Sequence, residues 1–186
     1  MSWLRFLFLP LLLCVIAAIM FVPSLFDSSA GKVVMDERVH SEAINRNDEK
    51  VLLVFFGYAG CVDICTPRME EVAKIYRDLP QNSDVGVLFV NLLPLEDQNV
   101  ADSFAKHFDK SFTGFYPGEI ELRRLREEFN IYFARSLMEK DEYDHTSFLF
   151  ILVKEADGYH LKGIYTRVPF DKEMVLADVR RWEQGQ

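Results

Sequence analysis

The 186-residue sequence has only three cysteines and four histidines, and its 21 basic residues are outnumbered by 29 acidic ones. A net charge of -8 without a cluster of Lys and Arg excludes a nucleic-acid surface, because phosphate binding needs grouped cations. The basic residues that do group, Arg123, Arg124 and Arg126, stand among Glu119, Glu121, Glu127 and Glu128 and read as a solvated helix face. No internal repeat or low-complexity tract occurs, which excludes a solenoid. The N-terminus lacks the Arg-rich, Ser-rich character of a mitochondrial presequence. Leu13, rather than a small residue, precedes Cys14, so no lipidated cysteine is expected there. The sequence also has no C-x-x-C pair, the spacing that most dedicated thiol oxidoreductases use.

What is present is one ordinary domain with an appendage. Residues 3–26 carry a single charge, Arg5, followed by a run of roughly 20 apolar positions, enough to cross a hydrocarbon core of roughly 30 Å. That run exceeds the usual apolar stretch of a signal peptide, roughly 7 to 15 residues. We therefore expect residues 1–27 to form an uncleaved transmembrane anchor; the alternative is a signal peptide cut after Ser28-Ser29-Ala30. Arg5 lies before the span, and Asp27, Asp36 and Glu37 outweigh Lys32 and Arg38 after it. This balance keeps the short N-terminus in the cytoplasm. The rest is then expected in the periplasm, on a bacterial inner membrane, where a cysteine pair can oxidise.

Residues 28–50 have no clear period and read as a tether and lead-in segment; residues 51–186 read as the folded domain. The run VLLVFF, Val51 to Phe56, is too short for a normal helix and reads as a strand buried on both faces. Thr66-Pro67 opens a helix whose apolar face is Met69, Val72, Ala73, Tyr76 and Leu79. A second buried strand is expected from Val85 to Leu93. A helix follows from Asp97 to Phe108, with Val100, Phe104 and Phe108 inward. After a loop over Thr113 to Gly118 comes a helix burying Ile120, Leu125 and Phe129. SFLFILV, from Ser147, pairs through a turn at Glu155 to Gly158 with YHLKGIYT. The last helix starts near Pro169 and buries Phe170, Met174, Val175, Val179 and Trp182. The order β-α-β-α-(α)-β-β-α is that of an α/β thioredoxin-like domain, a mixed sheet flanked by helices.

In GYAGCVDICTPRM, Cys61 and Cys65 stand at the end of a strand and the start of a helix. Reactive sites gather at the carboxyl ends of such strands, and a helix N-terminus favours thiolate over thiol. Residues four apart share a helix face with Cβ atoms roughly 5 to 6 Å apart. A disulfide wants roughly 3.5 to 4.5 Å, so closing one needs local unwinding. The spacing leans towards a shared metal ion and leaves a reversible disulfide, or two inert core cysteines, open. Of the histidines, His40 falls in the lead-in segment, His107 on the outer side of a helix and His160 in a hairpin strand. His145, in YDHTS before a strand, is the one placed to approach the first helix. Two thiolates and one imidazole suit Cu(I), or Cu(II) with an added water, and zinc would accept them too. Asp144 could orient the imidazole from behind.

GYAGCVDIC, with DHTSFLFILV about eighty residues on, resembles the Sco/SenC copper-chaperone family. Cys61, Asp63, Cys65, Asp144, His145 and Ser147 fall on its pattern, and TGFYPGEIELRRLREEFNIYF is similar to its middle segment. Gly60, Val62 and the position of Pro67 depart from it. The resemblance implies a membrane-anchored, thioredoxin-like chaperone that binds copper through Cys61, Cys65 and His145, with Asp63 and Asp144 behind them. It also implies a partner: the copper-site subunit of cytochrome c oxidase, or another copper protein. The competing reading is a thiol-disulfide oxidoreductase acting on a copper-receiving partner through Cys61 and Cys65 alone. A peroxidase is a poorer fit, because Val62 stands where that chemistry needs Thr or Ser.

Overall fold

The computed structural model of the protein describes residues 31–93, 98–138 and 142–185. The anchor read over residues 3–26, with Cys14, and the helix start read at Asp97 lie outside these. Among the described residues no helix is long and apolar enough to cross a membrane.

The strands are β1 (Lys32–Arg38), β2 (Val51–Gly57), β3 (Val85–Asn91), β4 (Thr113–Phe115), β5 (Phe133–Arg135), β6 (Tyr143–His145), β7 (Leu149–Glu155) and β8 (Gly158–Tyr165). The helices are α1 (Glu42–Asn45), α2 (Cys65–Arg77), α3 (Gln98–Phe108), α4 (Gly118–Glu128) and α5 (Lys172–Glu183). Six strands form one mixed sheet in the order β1-β8-β7-β2-β3-β4, and β5 pairs with β6 as a separate ribbon. The β2–β3 and β3–β4 pairings are parallel, and the others are antiparallel.

The central strand explains its own sequence. Val51, Leu53 and Phe55 enter one core, shared with Met69 and Val72 of α2 and Val175 and Val179 of α5. Leu52, Val54 and Phe56 enter the other, shared with Leu122 and Leu125 of α4 and with Ile44 of α1. Both faces are covered, so every position of β2 is buried and the apolar run is unbroken. Each such side chain contributes about 1.5–3 kcal/mol on burial.

Several expectations change. The segment read as a tether contains β1, an edge strand paired with β8, and the short helix α1. The loop read around Thr113 contains β4, and all three residues of the YDH run lie in β6 rather than in a plain loop. Helix α3 turns Ala101 and Ala105 inward while Val100 is exposed, and α4 buries Leu122 and Leu125 while Ile120 is exposed.

Candidate metal centre

Strand β2 delivers the chain to the site at Gly57. The following loop is braced by the end of β3: Gly57 O accepts the Leu92 N–H at 2.7 Å, and buried Asn91 accepts the Ala59 N–H through Oδ1 at 3.3 Å. Helix α2 then begins without a Ser, Thr, Asp or Asn cap. Cys61 serves instead. Its Sγ accepts the Cys65 N–H at 3.2 Å, and its carbonyl accepts the Thr66 N–H at 3.2 Å and the Thr66 hydroxyl at 2.9 Å. Pro67, in the first turn, forfeits no helical bond there. Helix geometry and sequence thus put one sulfur on the donors of the helix N-terminus and the second a turn later, against Gly57.

The third member arrives from the β5–β6 ribbon. Phe133 pairs with His145 and Arg135 with Tyr143, and the Thr146 N–H closes the ribbon on Tyr132 O at 3.0 Å. His145 Nδ1 lies 2.9 Å from the carbonyl of Thr146, so that nitrogen carries the hydrogen and donates it. Nε2 is left with its lone pair, 3.1 Å from Cys65 Sγ. The two Sγ atoms and one imidazole nitrogen all lie within 4.8 Å of one another, with both cysteines buried.

The two sulfurs are electrostatically unequal. The side-chain hydrogen bond from Cys65 holds the Cys61 thiol well below its ordinary range against the opposing effect of burial; the backbone N–H groups of Cys65 and Ile64 assist. Burial pushes the Cys65 thiol up, and the neighbouring Cys61 adds to it. Burial, then the bond to Glu142, also keeps the Tyr58 phenol protonated.

The structure thus brings together Cys61, Cys65 and His145. It does not bring Asp63 or Asp144 to them: both are exposed, and the group that orients the His145 ring is the Thr146 carbonyl. Adjacent residues of a strand point to opposite faces, which turns Asp144 away from the site that His145 enters. His40 and His107 are exposed and remote in role. His160 belongs to a second group with Asp36 and Glu155, but there Lys162 bonds both carboxylates, at 2.7 and 2.5 Å, and holds the place of a cation. Sequence reasoning missed Gly57, Tyr58 and Glu142 as parts of the site. A glycine closing a buried strand was the only signal available for the first.

A family model described as SCO1/SenC matches residues 34–182. A SCO2-like protein of Rickettsia conorii is 28% identical over 119 residues, 61% of this chain and 57% of that protein. The chain spans 57–64% of the length of the Rickettsia relatives it matches. Among solved structures, apo Sco1 from Thermus thermophilus is similar with a TM-score of 0.60 at 27% identity, over 81% of this chain and 91% of that one. ScoI of Arabidopsis thaliana, solved with copper bound, gives a TM-score of 0.61 at 18% identity, over 74% of this chain and 86% of that one. These likenesses agree with a thioredoxin-like α/β fold.

Proposed function

Because the chain belongs to the SCO1/SenC family, we propose that it is a copper-binding chaperone whose cargo sits on Cys61, Cys65 and His145. The observation that carries this reading is the convergence of two sulfurs and one imidazole nitrogen within 4.8 Å. Metal–ligand bonds of about 2.0 to 2.3 Å keep the ligands of one ion no more than two bond lengths apart, and this triad meets that limit with small adjustment. Soft thiolates favour Cu(I), and the added nitrogen extends the site to Cu(II). The copper held by Arabidopsis ScoI supports the same choice of ion.

The chain's own groups supply the rest. Cys61, at the helix N-terminus and with its thiol pKa lowered, is the readier of the two to meet an ion as thiolate. Cys65 must give up its proton as the ion enters, and copper uptake therefore releases protons. The exposed side chains of Val62, Asp63 and Ile64 beside the ligands offer a face on which a partner can take the ion. The partner is the copper-site subunit of cytochrome c oxidase or another copper protein, reached from the periplasmic side of a bacterial inner membrane by a domain anchored through residues 3–26.

A second reading is favoured by the inequality of the sulfurs. The Cys61 thiolate could attack a disulfide of a copper-receiving partner, forming a mixed disulfide and releasing one partner thiolate. Cys65 would then displace the second, leaving Cys61–Cys65 oxidised and the partner reduced. This chemistry needs no imidazole.

One experiment addresses location and metal together: fractionate cells making the full chain, then titrate the recovered protein with Cu(I) before and after reduction. The chain is expected in the membrane fraction, binding one Cu(I) only when reduced, because a disulfide removes both sulfurs. Release by osmotic shock with a new N-terminus near residue 31 would contradict the anchor. Undiminished copper in the oxidised form would place the metal elsewhere.

A further inference from the structure

Tyr58 immediately follows the strand that carries the cysteine loop, yet its side chain is committed to the opposite element. Its ring is buried and meets two residues of β6 edge-on, Tyr143 at 5.6 Å and His145 at 5.8 Å between centroids. Its hydroxyl donates to the Glu142 carboxylate and accepts the Tyr143 N–H at 3.4 Å. Tyr143 in turn stacks on Phe133 of β5 at 5.0 Å, nearly parallel, and Glu142 O accepts the Ser136 N–H at 2.8 Å. One side chain therefore holds both the ring pair and the mouth of the ribbon.

Among the described residues, the ribbon's other ties are the packing of Phe133 and Tyr143 on the core and the contacts at its base. Its two strands have three residues each and pair only with each other, outside the six-stranded sheet. An isolated two-stranded ribbon is marginal in water. At its base it is held by Arg126, whose guanidinium donates to Phe133 O at 2.9 Å, and by the Thr146–Tyr132 closure. Whatever fixes the ribbon against the cysteine loop fixes the 3.1 Å between His145 Nε2 and Cys65 Sγ.

Resting on the copper reading above, we propose that Tyr58 is a positioning residue that clamps the β5–β6 ribbon to the cysteine loop and so sets the reach of His145 into the metal site. Tyr58 does not ligate. Its effect falls mainly on the nitrogen ligand: the Tyr58 hydroxyl also interacts with Cys61, but both cysteines are held as well by β2 and by the start of α2. Loss of the clamp therefore separates the two oxidation states: Cu(I), satisfied by two sulfurs, is retained, whereas Cu(II), which needs the nitrogen, is held less well.

The test compares Tyr58→Phe, which keeps the ring and removes the hydroxyl, with Glu142→Ala, which keeps the hydroxyl and removes its acceptor. In the metal-free full chain, amide hydrogen exchange at Ser136 and Thr146 is expected to accelerate in both variants, with β3 unchanged. In reduced protein, Cu(II) affinity is expected to fall about 10- to 100-fold, the usual cost of losing a partner behind a ligand, while Cu(I) affinity holds. The double variant should be no worse than Tyr58→Phe, since Glu142→Ala breaks a bond that the missing hydroxyl already forfeits. Glu142→Gln, whose amide oxygen still accepts the phenol, should restore most of the loss. Wild type that bound no copper would sink the metal reading, while the exchange rates would still decide whether Tyr58 holds the ribbon. Unchanged exchange and unchanged Cu(II) affinity in both single variants would overturn the assignment.

Discussion

Gly57 shows how little room the site leaves at the scale of one atom. A Cβ built there would lie 2.7 Å from Cys65 Sγ, 3.1 Å from the Phe89 ring and 3.2 Å from the Phe55 ring. No real Cβ makes the first contact, so Gly57→Ala must displace the sulfur or the strand that carries the loop. The substitution is expected to destabilise the domain by about 1–3 kcal/mol, as overpacking does. On the copper reading proposed above, in which Cys65 is a ligand, it should also weaken Cu(I) binding. Denaturant midpoints and a Cu(I) competition titration on the same preparation check both effects. A full-affinity variant would show that Cys65 has slack the structure does not suggest. The unequal sulfurs belong to this scale as well: a four-residue spacing lets the sequence place two cysteines on one face, but nothing in the spacing says that Cys61 caps the helix while burial raises the Cys65 thiol.

Among the elements, those read correctly from sequence are the ones with both faces, or one whole face, in a core. β2 is apolar throughout because it is covered twice, and β8 alternates because one side chain in two is buried. β1, β5 and β6 escaped because they are edge or ribbon strands with almost no buried position, and so carry no period. In α3, Phe104 and Phe108 pack on the core as expected, while Val100 does not, for a different reason. The helix's close face is Ala101 and Ala105, and a Cβ on Gly114 of β4 would fall 2.0 Å from Ala101 O, so strand and helix meet through their smallest residues. A search for large apolar side chains favours Val100 instead.

Edge strand β1 offers an element-scale prediction. His160 of β8 faces Asp36 of β1 at 3.0 Å, Asp157 of the β7–β8 turn at 3.0 Å and Glu155 of β7 at 3.9 Å. Lys162 bonds Asp36 and Glu155, and Arg38 lies 3.5 Å from Asp157. Burial alone would lower the His160 pKa, but the bonds to Asp157 and Asp36 outweigh it and raise it above 6.5. A raised folded-state value means that the charged imidazole stabilises the fold. That contribution is fully present below about pH 6.5 and is lost as pH rises through the folded value. Wild type should therefore exceed His160→Gln in urea stability most at pH 5.5 to 6, with the gap closing above neutrality. A gap that widens with pH would contradict the assignment.

At the scale of the whole molecule, the fold brings two cysteines of one loop and a histidine distant in sequence onto one spot. The parallel β2–β3 pair sends its carboxyl ends and the α2 N-terminus to a single edge, and the ribbon after α4 folds back over it. The two cysteines and His145 were legible in the sequence, because each sits beside a strong strand signal. Their support was not, since Tyr58, Glu142 and the Thr146 carbonyl act through contacts that no spacing records. The central claim is that these three residues form one copper site, and the Cu(II) spectrum of reduced His145→Ala tests it most directly. The account predicts that the variant keeps Cu(I) on its two sulfurs but loses the thiolate-to-Cu(II) charge-transfer band, while His40→Ala, His107→Ala and His160→Ala retain it. A Cu(II) band unchanged in His145→Ala would contradict the account and leave the two-cysteine oxidoreductase in its place.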